Sequence, residues 1–291
     1  IDTGSGDQNW VHEQPAQLRA LTWSPDGSRL AYFMVDDDIY KLRIFDTTSA
    51  KTTTLELGSD KEIASSSPLV WSPDGVTILL GLRPEGWATE ARRAFLALTE
   101  AAVIVQDSRN DFLAWDRVRN IANQQITALV SLADGSVREI LAEVTPQGLS
   151  FSKDGSYITY STAVRTKTSY TRRDGTDYEL LMLDLNSGES ASLMDPSEER
   201  VSVSWTEARD MFAYGEDGSV FVMRVGDEEA VDVTEAHRTT DSETKEPEFS
   251  VGRWSSTGSE LLLTSEQGWH VLNVEADDMR DLLVFSDDEE G

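Results

Sequence analysis

Apolar and polar residues alternate along this chain in short runs with the period of two expected of half-buried strands. The first such runs are Leu21-Thr22-Trp23, then 30–34, 39–46 and 52–57. Between the first two stands Trp23-Ser24-Pro25-Asp26-Gly27. This stretch returns as Trp71-Ser72-Pro73-Asp74-Gly75 and, decayed, as Phe151-Ser152-Lys153-Asp154-Gly155. Trp254-Ser255-Ser256-Thr257-Gly258 is a weaker echo, and Trp205-Thr206-Glu207-Ala208-Arg209-Asp210 holds the same place without the glycine. The stretch predicts a tight turn. Proline presets φ, Asp bonds nearby backbone, and glycine takes φ > 0 at low cost. An apolar strand follows each copy, so each is a hairpin whose first strand ends in a large aromatic anchor.

The hairpins open longer units. In the first, strands are predicted at 21–23, 30–34, 39–46 and 52–57, and four antiparallel strands make the blade of a β-propeller. The anchors are separated by 48, 80, 54 and 49 residues. Removing an insertion of about 40 residues from the long interval leaves the ~40–50 residues of one blade. The expected fold class is therefore all-β, a β-propeller with at least five four-stranded blades, alone or within a seven- or eight-bladed ring. Residues 1–17 read as a lead-in and 18–291 as the propeller. Blades are expected at about 18–57, 64–143, 144–195, 200–235 and 245–285. The second carries an insertion over 83–123. It holds a predicted helix at 88–98, rich in Ala, Glu, Arg and Leu, the apolar run 102–107, and a polar stretch 108–119 with Phe112 and Trp115.

The Trp-Ser-Pro-Asp-Gly hairpin, with its following apolar strand and a Tyr-x-Leu-x-Ile-x-Asp strand, resembles the propeller repeat of TolB-like proteins. The same repeat occurs in the propellers of prolyl oligopeptidase-family serine peptidases. The repeat resemblance covers about 18–274. Val103-Ile104-Val105-Gln106-Asp107 with Asp111, Trp115 and Gln124-Gln125 further resembles a segment of some peptidase propellers, over about 103–132. In that family a separate α/β-hydrolase domain carries a Gly-x-Ser-x-Gly elbow. None occurs here; Gly148-Leu149-Ser150-Phe151-Ser152 ends in serine and falls in a predicted strand. The resemblance implies a non-catalytic propeller that packs on a hydrolase domain outside this sequence and gates or binds peptide. The alternative is a stand-alone TolB-like module binding a protein in the cell envelope, which makes a periplasmic or secreted location the expectation.

Composition narrows the partners. The chain has 291 residues, 39% of them hydrophobic, enough for a large core. A formal charge of −28 argues against nucleic acid and anionic membranes, and fits simple solubility, a cationic partner or a salt-rich habitat. With no cysteine, disulfides and thiolate metal sites are excluded. No stretch approaches the ~20 apolar residues of a membrane span. The sequence opens on Ile1, which reads as a processed or excised form.

Candidate chemistry is sparse. His12, His237 and His270 read as ordinary surface or strand histidines, without a metal-binding spacing. No catalytic residue, metal or cofactor is assigned. Asp36-Asp37-Asp38 lacks the spacing of a calcium loop and reads as a solvated turn. Asp107, Asp111 and Asp116 would share a side only on a helix and read as exposed insertion. The binding candidates are Arg165, Lys167, Tyr170, Arg172 and Arg173, a basic, tyrosine-bearing loop on a rigid scaffold, together with Trp115. Trp87, Trp115 and Trp269 are candidates for stacking on a carbohydrate.

Overall fold

The structure, a computed structural model, describes residues 11, 15–100, 114–142, 145–165, 176–198, 201, 203–238 and 247–285, with the backbone alone at 114–117 and 164–165. These residues form five four-stranded antiparallel sheets, the blades of an all-β, β-propeller fold. The chain divides into two compact units, one holding the described residues up to Pro146 and the other those from Gln147 onward.

The first unit has two sheets. Sheet A runs β1 (Gln17–Trp23), β2 (Arg29–Asp36), β3 (Ile39–Asp46) and β4 (Lys51–Thr54); sheet B runs β5 (Leu69–Trp71), β6 (Thr77–Leu82), β7 (Ile126–Ser131) and β8 (Val137–Leu141). Their facing sides share one core, in which Ala31, Phe33, Leu42 and Ile44 meet Trp71, Ile78, Leu80 and Val130. Each fully buried aliphatic or aromatic side chain contributes about 1.5–3 kcal/mol. Between β6 and β7 lie α1 (Trp87–Thr99) and α2 (Ala114–Asn123). The second helix occupies much of the stretch that looks merely polar in sequence. A segment this short is marginal alone; it lies against α1, and Val118 and Ile121 line a small cavity between the helices with Ala94, Ala97 and Leu98.

The second unit has three sheets. Sheet C comprises β9 (Gln147–Phe151), β10 (Tyr157–Arg165), β11 (Thr176–Asp184) and β12 (Ser190–Ser192). Sheet D comprises β13 (Ser204–Trp205), β14 (Met211–Glu216), β15 (Ser219–Arg224) and β16 (Val231–Asp232). Sheet E comprises β17 (Ser250–Trp254), β18 (Glu260–Ser265), β19 (Gly268–Asn273) and β20 (Asp278–Val284). Leu180 and Met182 of sheet C pack on Phe212, Tyr214 and Met223 of sheet D. Met211, Ala213 and Val222, on the other face of sheet D, pack on Trp254, Leu261 and Leu263 of sheet E.

The repeated turn works through its side chains. In sheets A, B and C the serine hydroxyl (Ser24, Ser72, Ser152) donates to the aspartate two residues on. The same hydroxyl accepts the N–H of the residue five on. The aspartate accepts the N–H two residues beyond itself. Gly27, Gly75 and Gly155 take φ of 69°, 67° and 71°, where a Cβ would be strained. Sheet D has lost the glycine, and Arg209 sits there at φ 51°. It offsets the strain by bonding the neighbouring sheet, donating to Ser150 Oγ and Phe151 O.

Two of the anchors tie their sheet to the one before it. Trp71 Nε1 donates to Thr22 O, and Trp254 Nε1 to Ser204 O, in each case to the residue preceding the earlier anchor. Arg29 adds a tie in the first unit, donating to Gly75 O and lying over the Trp71 ring. Trp205 packs its ring on Phe212 at 4.8 Å, but its N–H is buried with no acceptor among the described residues. Trp23 differs from Trp71, Phe151 and Trp254, which are buried. It is 56% exposed and joins none of the core clusters of the described residues.

Candidate functional site

The sequence-derived binding residues fall at one connection and in one helix. Arg165 is the last residue of β10, paired with Thr176 at the start of β11; Lys167, Tyr170, Arg172 and Arg173 lie outside the described residues. Trp115 belongs to α2, and its side chain is likewise outside them, as are Asp107 and Asp111. Asp37 and Asp38 form a two-residue hairpin turn with φ of 50° and 64°, a conformation that suits aspartate. Trp87 lies under the Arg83 guanidinium at 4.1 Å, and its N–H donates to Ile121 O.

Arg83 staples the helical insertion to sheet B. It is 9% exposed and donates to Ala122 O, Gln124 O and Ser65 Oγ. Burial pushes its pKa down, while Tyr40 and Glu62 push it up; an arginine starts so far above neutrality that it stays charged. A cleft of about 510 Å³ opens beside it, lined also by Lys61, Glu62, Glu85 and Trp87. Lys61 is already paired with Glu139. Both cations of this cleft are thus engaged in holding the fold.

The second unit has a cleft of about 630 Å³ built differently. Its apolar lining is Met194, Val201, Phe249 and Val251; its carboxylates are Glu216, Asp217 and Glu248. Asp217-Gly218 is the turn of the β14–β15 hairpin, with φ of 47° and 74°. Phe249 docks on that turn through its N–H to Gly218 O. Burial raises the Glu216 pKa, and Asp217 and Asp195 add to the rise, although a backbone N–H of Asp195 opposes it. A ligand with a positive group beside an apolar one would satisfy both parts of this lining.

Phe249 leads to an arrangement absent from the sequence reading. Its ring meets the His270 imidazole edge-on at 5.5 Å. His270 Nε2 is 2.8 Å from Ser265 Oγ, and His270 Nδ1 is 2.8 Å from Asp281 Oδ1. Imidazole is 5% exposed, Ser265 is half-buried, and the Asp281 carboxylate is exposed. The three belong to β18, β19 and β20. No linear motif announces them, since Ser, His and Asp stand five and eleven residues apart on neighbouring strands. The one available signal was a histidine at an inward position of an alternating strand. Ser150 and Ser152, the serines of the Gly148–Ser152 string, serve the fold: one binds Arg209 and the other caps its turn.

No protein-family model matches the chain, and no curated protein matches its sequence. Solved structures match in shape. A Bacteroides ovatus protein described as a dipeptidyl aminopeptidase IV aligns over 94% of this chain at 13% identity with a TM-score of 0.53. Acylaminoacyl peptidase from Pyrococcus horikoshii aligns over 93% at 12% identity with a TM-score of 0.49. TolB from Acinetobacter baumannii aligns over 90% at 15% identity with a TM-score of 0.41. The chain spans 43%, 39% and 54% of those three proteins. These are the two groups whose repeat the sequence resembles. At such identities the first likeness shows the fold.

Proposed function

We propose that this chain is the β-propeller domain of a prolyl oligopeptidase-like serine peptidase, binding peptide and limiting what reaches an α/β-hydrolase domain outside this sequence. The single observation that carries the binding role is the cleft of the second unit. Four apolar side chains offer a seat for a peptide side chain, and Glu216, Asp217 and Glu248 offer a negative rim for an amino group. The bond-forming chemistry of peptide cleavage belongs, in this reading, to the hydrolase domain. The likeness to the dipeptidyl aminopeptidase IV structure supports the fold that the reading needs.

The test is fluorescence anisotropy with short labelled peptides of matched length, basic or acidic, on the purified chain. Basic peptides are expected to bind, and Phe249→Ala and Glu216→Gln to weaken them. Equal binding of both peptide types, or none, would overturn the reading. A second reading, a TolB-like module that binds a folded protein, is favoured by Leu282, Leu283, Val284 and Phe285, all exposed in succession at the end of sheet E. Capture of a folded partner that is insensitive to Phe249→Ala, with no peptide bound, would select it.

A further inference from the structure

The Ser265–His270–Asp281 cluster goes beyond that reading and does not depend on the cleft. Its hydrogen bonds can run in only one direction when the imidazole is neutral. An ionised carboxylate only accepts, so Nδ1 must carry the proton and donate to Asp281. Nε2 is then bare and accepts. The N–H of Gln267 already donates to Ser265 Oγ at 3.1 Å, so the hydroxyl proton is left to point at Nε2. That is the protonation pattern of a nucleophile, a base and a group that orients the base.

Two irregularities of the backbone build it. The pairing of β19 with β20 slips after Trp269, which faces Leu283, so that His270 faces Asp281 and Leu282 is passed over. A regular ladder would have set Leu282 opposite the imidazole; the bulge re-aims a carboxylate onto it. Gly268 sits at φ 153°, and a Cβ there would lie 2.0 Å from Leu283 O. Glycine is what lets β20 come close enough. Ser265 is itself half-buried and stands at the mouth of the β18–β19 turn, next to the exposed Glu266 and Gln267.

We propose that Ser265, His270 and Asp281 act as a nucleophilic relay that takes an acyl group from small activated esters onto Ser265 Oγ. Oγ attacks the ester carbonyl carbon while its proton passes to His270 Nε2. The tetrahedral adduct collapses, the ester C–O bond breaks, and the alcohol leaves with the proton from Nε2. Water deprotonated by the same nitrogen releases the carboxylic acid and restores the serine. Asp281 acts through His270 and is a positioning residue.

The test uses an alkyl fluorophosphonate on the purified chain, read by intact mass and peptide mapping. Attack by Oγ forms a P–O bond and expels fluoride, the proton passing to His270. A single adduct on Ser265 is expected, absent in Ser265→Ala. His270→Gln is expected to slow labelling by about 100-fold, the scale of general-base assistance. Asp281→Asn, at an exposed position, is expected to slow it by about fivefold with an unchanged circular dichroism spectrum, and to remove the downfield Nδ1 proton signal. The Asp281 variant keeps the test decisive if His270→Gln fails to fold. No adduct under conditions that label a known serine hydrolase, adducts spread over exposed serines such as Ser49 and Ser187, or a rate indifferent to Asp281→Asn would each overturn the proposal.

Discussion

Replacing Trp254 by Phe and, separately, Trp205 by Phe tests whether the indole N–H is what ties one sheet to the next. The two anchors occupy equivalent places in adjacent sheets of the same unit. Trp254 donates to Ser204 O at 2.8 Å, whereas the Trp205 N–H is buried with no acceptor among the described residues. Each change removes roughly 50 Å² of apolar contact, about 1 kcal/mol at ~25 cal/mol/Å². Trp254→Phe also forfeits a buried hydrogen bond and leaves a carbonyl short of a donor, about 1–2 kcal/mol more. Its total is about 2–3 kcal/mol. Trp205→Phe instead removes an unpaired donor whose desolvation costs about 1–3 kcal/mol, so its net effect is near zero. Sheet C already carries Phe151 at that position. Urea denaturation followed by circular dichroism would give both values, provided the slope m is unchanged. A loss in Trp205→Phe equal to that in Trp254→Phe would refute the reasoning.

Other changes probe other parts of the fold. Gly268→Ala should lower the melting temperature by several degrees, because its Cβ collides with backbone, and should speed amide exchange in β19 and β20 first. Arg83→Met should leave the sheet core intact but speed exchange over α2, whose C-terminal carbonyls it holds. Turn carboxylates Asp26 and Asp154 are held below the ordinary range, chiefly by the hydroxyls of Ser24 and Ser152. Their depressed pKa stabilises the fold above the unfolded carboxylate range, so acid titration of stability should show a loss as pH falls below it, smaller in Asp154→Asn. Glu216 has the opposite sign. Its raised pKa destabilises the folded state at neutral pH, and protonation relieves this. Glu216→Gln should therefore stabilise the protein at pH 7, with the gain vanishing as pH drops below the unfolded glutamate range.

The turns were legible because one motif encodes a complete set of local hydrogen bonds. Ser24, Asp26 and Gly27 need no tertiary information to find one another, and alternation did the same for the strands. The second helix went unread although half of its ten residues are apolar and Ala114, Val118, Ile121 and Ala122 recur at helical spacing; the charged residues between them made the stretch look like a polar loop. Exposure of Trp23 could not be read either, because the identical motif leaves Trp23 exposed in sheet A and buries Trp71 in sheet B. The Ser265–His270–Asp281 geometry depends on a one-residue slip between strands, and hydrophobic alternation carries no trace of such a slip.

Arg29, Arg209 and Trp254 reach only the sheet next in line. A severed tie should therefore loosen one seam and spare the rest. A lineage of such chains could gain, lose or exchange a repeat by recombination within the Ser-x-Asp-Gly turns, having only the two flanking seams to re-establish.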